Sequence, residues 1–259
     1  MSTPEEKQKG PLSESVVRNL RTVGAIGYYL GILPMVRVPA LLPFVFATPF
    51  TILFILYVSG SGAALAYGLA GAITMTVAQQ GLILGADLTS FKIEHKFQSI
   101  VVASPVSSFT YFISIALSEI LFAAIPLAVL LAIVTRDGAS AFAILEIIGV
   151  ILLTWITTSS IGFFLSTYVL NTRTAFLTVT FISVVISVLP PVFYPLRILP
   201  SYLQPFAELA PTTHASILIQ NLTNVPTGAT QVVLSWVALP IFTAIFLVLA
   251  LFKARWRES

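Results

Sequence analysis

The residues that could do chemistry in this chain are few and far apart. It contains no cysteine, which excludes disulfides, thiolate nucleophiles and thiolate metal sites. Its two histidines, His95 and His214, are widely separated and form no HExxH metal motif. Asp87 has no obvious partner for an intramembrane aspartyl protease, because Asp137 falls in a turn after a different apolar stretch. We therefore expect no enzyme chemistry in the chain itself.

Three polar side chains are informative because they interrupt long apolar stretches. Gln79 and Gln80 lie in one stretch, and Glu119 lies about nine residues, or ~14 Å, into another. A carboxylate at mid-membrane costs about 2.5 kcal/mol or more, so Glu119 should face the bundle, a cavity or a partner. Three roles are open for Glu119: binding a cationic substrate, sensing a proton, or a structural role as a protonated or hydrogen-bonded residue. The glutamines would line a pathway or hydrogen-bond between helices.

The composition explains this scarcity of polar groups. Of the 259 residues 57% are hydrophobic and only 9% are charged, whereas soluble domains have about a quarter of their residues charged. A helix needs about 20 apolar residues to cross a bilayer core of about 30 Å. Six stretches are long enough, so the predicted fold class is an all-α membrane protein with six transmembrane helices. They are residues 38–60, 64–86, 110–134, 142–168, 174–195 and 229–252.

The basic residues predict the orientation of these helices. Six spans place both termini on one side of the membrane, which then carries eleven lysines and arginines against two on the other. The positive-inside rule therefore predicts a multi-pass protein of the plasma membrane with both termini in the cytoplasm. The eleven are Lys7, Lys9, Arg18, Arg21, Arg37, Lys92, Lys96, Arg173, Lys253, Arg255 and Arg257, and the other two are Arg136 and Arg197.

The N-terminal region predicts a helix that lies along the membrane. Residues 1–11 are polar and predict a disordered cytoplasmic tail, and 253–259 form a second one. Residues 12–37 predict an amphipathic helix, because one face carries a repeating apolar stripe. A helix of this kind before a span commonly lies in the interface plane, although an ordinary soluble helix is the alternative. The stripe consists of Val16, Leu20, Val23, Gly27 and Leu30.

Two connections within the six-span domain, residues 38–252, also have internal order. The first cytoplasmic loop, 87–108, carries Ile93, Phe97 and Ile100 at helical spacing with charges between them. It predicts a short helix that shows its charges to water or to a partner; a solvated connector is the alternative. The external segment 196–228 is apolar but repeatedly interrupted by proline, which predicts two short helices that dip into the membrane and return.

In this order, the amphipathic helix, the polar loop and the broken external return resemble the membrane subunit of a type-2 ABC exporter, in the ABC-2 type transporter family. The resemblance rests on Asp87 followed by FQSIVVASPVS at 97–107, and on FYPLRILP at 193–200 running on to LAPTTH at 209–214. The first loop departs from the family pattern, because FKIEHK at 91–96 lacks the glycine usual there.

The resemblance implies a permease subunit that works as a homodimer. Two copies of a separate ABC ATPase would bind Mg-ATP and dock on the first cytoplasmic loop, so this chain would carry no cofactor and bind no nucleic acid. Independently, the sequence contains no GxxxxGK[ST] phosphate loop. A self-sufficient secondary transporter or channel is the alternative, and a membrane scaffold is a third. The implied ATPase-coupling residues are Lys92, Ile93, Glu94, His95, Lys96 and Phe97, and the pathway candidates are Gln79, Gln80 and Glu119.

Overall fold

The computed structural model describes residues 11–39, 41–58, 62–93, 103, 106–169 and 171–253. All regular elements in these ranges are helical, so the all-α class is confirmed. A π-helical segment, Tyr28–Ile32, joins the first two helices, and a 3-10 turn covers Leu196–Ile198. The helices are α1 (Pro11–Gly27), α2 (Leu33–Arg37), α3 (Leu41–Val58), α4 (Gly62–Ile93), α5 (Ser108–Arg136), α6 (Ala141–Ser166), α7 (Thr172–Ser187), α8 (Gln204–Glu208), α9 (Pro211–Leu222) and α10 (Ala229–Lys253).

Long apolar helices identify a multi-pass membrane protein. Four of the described helices, α4, α5, α6 and α10, are long and apolar enough to cross a bilayer. Two more apolar helices are shorter, Val45–Val58 within α3 and Thr172–Ser187, which is α7. Apolar helices thus occur at all six positions predicted from the sequence, and four of them have the full length of a span.

Two helix ends differ from the prediction. The fifth predicted span, α7, ends at Ser187 instead of reaching residue 195. Pro190 and Pro191 cannot continue an α-helix, and a proline disfavours helical backbone angles in the residue before it. α4 continues seven residues beyond the predicted end at 86, so the start of the predicted loop is helical. With 32 residues α4 is ~48 Å long and exceeds a bilayer core of about 30 Å.

The central contact of the bundle is the packing of α4 on α6. A Cβ atom added to Gly85 would lie 2.6 Å from the carbonyl oxygen of Gly162, and one added to Gly162 would lie 2.9 Å from the carbonyl oxygen of Gly81. The two backbones therefore touch, which only glycine permits. The GxxxG spacing of Gly81 and Gly85 serves helix packing, as is common in membrane bundles.

Hydroxyl side chains in the buried helices bond mostly to their own backbone. Thr74 donates to the carbonyl of Ala70 at 3.0 Å, and Thr154 donates to that of Val150 at 2.7 Å. Bonds between helices are fewer and include Thr157 with Thr243 at 2.8 Å. Because hydrocarbon offers no competing water, these bonds satisfy groups that would otherwise be costly to bury.

The predicted N-terminal helix, 12–37, consists of α1, the π-helical segment and α2, and α1 lies against α5. Within the predicted apolar stripe, Val23 and Leu30 are partly buried, whereas Val16 and Leu20 are exposed. The backbones approach each other closely at Gly31 in the π-helical segment, where an added Cβ would lie 3.0 Å from Cδ1 of Leu121 and 3.1 Å from Cα of Ser118. Only the second half of the stripe therefore contacts the bundle.

The glycine contact between α4 and α6 can be tested with one substitution in each of the two helices. Gly85→Ala should lower the melting temperature in detergent, because its methyl group would force α4 away from α6 at a cost of ~1–3 kcal/mol. Gly149→Ala is the matched control, since nothing lies within 4 Å of its added Cβ. Tryptophan fluorescence on heating would measure both. Equal melting temperatures for the two variants would contradict the proposed backbone contact.

Candidate functional site

A polar cavity of about 250 Å³ lies between α3, α4 and α7. One side is aliphatic, formed by Val45, Ile83, Val179 and Val184. The other side is polar and uncharged. Its side chains are Thr76, Gln79 and Gln80 from α4, and Thr180 and Ser183 from α7. The structure thus brings together the two glutamines selected from the sequence and adds hydroxyl groups from a distant helix.

The helix packing fixes the direction of these side chains. Gln79 precedes Gly81 by two residues, or about 200° around an α-helix, so the contact with α6 turns Gln79 toward the opposite side. Thr76 and Gln80 are four residues apart and share a face, as do Thr180 and Ser183 at three. Both glutamines lie at least ~20 Å from either end of α4. They are therefore well inside an apolar span.

The glutamine amides have no hydrogen-bond partner among the residues that the structure describes. The same holds for the hydroxyls of Thr180 and Ser183, whereas Thr76 donates to the carbonyl of Ala72 at 2.7 Å. Unpaired polar groups in hydrocarbon cost several kcal/mol each. The cavity therefore presents hydrogen-bonding groups that water or a polar ligand can use. The alternative role of the glutamines was hydrogen bonding between helices, and the described residues contain no such bond from Gln79 or Gln80.

Glu119 does not share this cavity. It is only 5% exposed and lies inside the bundle, where its carboxyl group is within hydrogen-bonding reach of the Asp87 carboxyl on α4. Two carboxyl groups can bond directly only while one of them carries a proton, which it donates to an oxygen of the other. The pair joins α4 to α5, the two helices on either side of the first cytoplasmic loop.

Most of the predicted coupling segment cannot be placed. Lys92 and Ile93 are the last two residues of α4, and Ile93 is exposed. Glu94, His95, Lys96 and Phe97 lie outside the described residues. Helix α5 begins at Ser108, and the hydroxyl of Ser107 caps it by accepting the amide hydrogen of Thr110 at 3.1 Å.

Sequence reasoning missed Thr180, Ser183 and the partnership of Asp87 with Glu119. Asp87 follows Gln80 by seven residues, so this spacing could have indicated that both lie on one face of α4, with the apolar Ile83 and Leu84 between them. The α7 sequence carries hydroxyl residues throughout, which also sets it apart from an ordinary lipid-facing helix. These residues are Thr172, Thr174, Thr178, Thr180, Ser183 and Ser187.

His214 holds the segment before the last span, which was predicted to be an external return, against α10. Its Nε2–H donates to the carbonyl of Glu208 at 2.8 Å, so Nδ1 accepts from the hydroxyl of Ser235 at 3.1 Å. The ring also stacks on Phe242, with centroids 5.8 Å apart. Burial lowers the pKa of His214, partly opposed by the carbonyl and the charge of Glu208. The neutral imidazole therefore fixes α9 to α10.

The described structure is thus a bundle of apolar helices with an uncharged polar cavity between α3, α4 and α7. Comparison with protein families makes the class specific. The family model described as "ABC-2 type transporter" matches residues 25–223, and the chain belongs to this family. No curated protein matches the chain. Members of the family are membrane components of ABC transporters, and the catalytic work belongs to an ATPase that acts with them.

The His214 contacts predict a pH dependence of stability. Because the folded chain favours the neutral ring, its contribution is complete above the ordinary pKa of 6.5 and is lost as pH falls through the lowered value. The melting temperature should fall between pH 7.5 and 5. His214→Gln, which keeps a donor but does not titrate, should fall less steeply. Parallel pH profiles for the two proteins would exclude this role for His214.

Proposed function

We propose that this chain is the permease subunit of an ATP-driven exporter in the plasma membrane. Two copies form the substrate pathway, and two copies of a separate ABC ATPase drive it through the first cytoplasmic loop. The observation that carries the proposal is the cavity at Gln79 and Gln80. In a member of this family, unpaired amides deep in an apolar span are best explained as part of a transport pathway.

The two helices beside the cavity provide the surface for a second copy. α3 exposes Phe54 and Tyr57, and α7 exposes Leu177 and Phe181. A homodimer formed through α3 and α7 would place two cavities across a shared axis. The pathway would then run between the copies and would be lined by both pairs of glutamines.

The length of α4 supports coupling to a partner below the membrane. Because α4 is ~18 Å longer than a bilayer core, it extends beyond the core at its ends, and the excess of basic residues favours a cytoplasmic position for the end that carries Lys92. That end leads into the coupling loop. Mg-ATP would be bound and hydrolysed on the partner alone, at a position from which the loop transmits its movement.

The Asp87–Glu119 pair would connect the loop to the pathway. The loop leaves the membrane domain through α4 and re-enters through α5, and this pair links the two helices near the loop. A displacement of the loop would then move α4 and α5 together. Since α4 also carries Gln79 and Gln80, the movement would reach the cavity wall. We therefore assign Glu119 to this link and not to the cavity.

One observation favours the alternative of a self-sufficient carrier. Two carboxyl groups that share a proton inside a membrane protein are the kind of site that proton-coupled carriers use. If the purified chain alone, reconstituted in liposomes, moves a solute down an ion gradient, the exporter proposal is wrong.

Docking on the ATPase can be tested by charge reversal. In membranes that contain the complete transporter, Lys92→Glu should reduce the ATPase recovered with the tagged chain about fivefold or more, a loss of ~1 kcal/mol of docking energy. Arg197→Glu is the control, since it reverses an exposed charge on the predicted external side. Equal recovery of the ATPase with both variants would show that the partner does not bind near the end of α4.

The carboxyl link predicts a separate effect on coupling. Asp87→Leu should lower transport per ATP hydrolysed about fivefold, because it removes a hydrogen bond worth ~1 kcal/mol. Asp87→Asn keeps a hydrogen-bonding group of the same shape and should retain most of the coupling. Transport and ATP hydrolysis would be measured together in liposomes. If the Leu and Asn variants lose coupling equally, a hydrogen-bonded link is not the cause.

A further inference from the structure

The wall of the cavity restricts the kind of molecule that it can bind, provided that it is the pathway proposed above. Among the described residues, the polar side chains that line it are all uncharged: Thr76, Gln79, Gln80, Thr180 and Ser183. A charged ligand group at this depth would leave water without gaining a counter-charge, which is strongly disfavoured in a low-dielectric site. The cavity therefore selects against organic cations and anions.

The charged side chains nearest along α4 do not change this conclusion. Asp87 is two helical turns, ~10 Å, from Gln80 and is engaged with Glu119. Lys92 is at the end of the helix, ~18 Å from Gln80. Neither side chain belongs to the cavity wall.

The same wall is well suited to hydroxyl and amide groups. Each glutamine offers one carbonyl acceptor and two N–H donors, and each hydroxyl both donates and accepts. The structure gives the glutamine amides no protein partner among the described residues, so these groups are available to a ligand. The aliphatic side, with Ile83 and Val179, would contact the apolar face of the same molecule.

We propose that the transported molecule is uncharged in the part that occupies the cavity and presents hydroxyl or amide groups to Gln79 and Gln80. One cavity of about 250 Å³ is smaller than a typical drug-sized pocket of ~300–1,000 Å³. Each copy would therefore hold one sugar-sized or amide-sized portion of the molecule. The second copy of the chain would hold another portion across the dimer axis.

Binding by the purified full-length chain tests this proposal without its ATPase. Three probes with the same alkyl chain would be compared by thermal shift in detergent: a neutral glucoside, a quaternary ammonium cation and a sulfonate anion. The glucoside should bind at least about tenfold more tightly than either charged probe, because it alone leaves no charge unpaired. Equal or tighter binding of a charged probe to the wild-type chain would overturn the proposal.

A nearly isosteric charge change tests whether the cavity is responsible. Gln80→Glu should strengthen binding of the ammonium probe about tenfold and weaken binding of the glucoside. Gln231→Glu is the matched control, since this residue is partly buried on α10 outside the cavity wall, and it should leave all three affinities unchanged. Unchanged selectivity in a correctly folded Gln80→Glu variant would also overturn the proposal.

The complete transporter in liposomes separates this inference from the proposed function. ATP-dependent transport that prefers a charged probe would leave the exporter assignment intact and overturn the substrate class. Glucoside-selective binding by a chain that never recruits an ATPase would support the ligand chemistry and overturn the exporter assignment. Stimulation of ATP hydrolysis by the glucoside, abolished by Gln79→Leu, would support both.

Discussion

The backbone contact between α4 and α6 is the constraint on which the remaining structure depends. Gly81, Gly85 and Gly162 remove the side chains that would keep the two helices apart. With no side chain between them, α4 is held at a defined rotation as well as a defined distance. That rotation directs Gln79 away from α6 and into the space beside α3 and α7. The polar cavity is therefore a consequence of glycines that do not line it.

The polar side chains of the cavity are informative because polar groups in a hydrocarbon environment need hydrogen-bond partners. Elsewhere in the bundle, hydroxyl groups such as those of Thr74 and Thr154 return to carbonyls of their own helix, so their burial costs little. Gln220 on α9 also bonds within its own helix, since its Nε2 donates to the hydroxyl of Ser216 at 2.9 Å. Gln79 and Gln80 have no such bond among the described residues, so their amides are turned to the cavity. This contrast separates polar residues that stabilise the fold from those that are available to a ligand.

The sequence was sufficient for the helices but not for the grouping of their polar residues. The length of each apolar stretch predicted helices at six positions, because the length needed for a span depends only on the thickness of the bilayer. Apolar helices lie at all six positions, and four of them have the full length of a span. Gln79, Gln80 and Glu119 were all predicted to line the pathway, because each interrupts an apolar stretch in the sequence. The structure places only the two glutamines at the cavity, because the direction of a side chain depends on how its helix packs. Glu119 faces Asp87, a residue that seemed to belong to a loop because the composition becomes polar there. Without a helix breaker, α4 continues to Ile93 despite that change.

One turn of α5 connects the surrounding elements. The carbonyl of Ala116 accepts the indole N–H of Trp155 on α6 at 3.0 Å, Ser118 contacts Gly31 of the N-terminal segment, and Glu119 meets Asp87 on α4. Three elements are thus fixed to α5 within four residues. Because two of these contacts involve backbone atoms, the turn cannot adapt by changing side-chain rotamers alone. A displacement of the Lys92 end of α4 would therefore move α5 with it or break the carboxyl contact, and the coupling proposed above depends on the first of these outcomes.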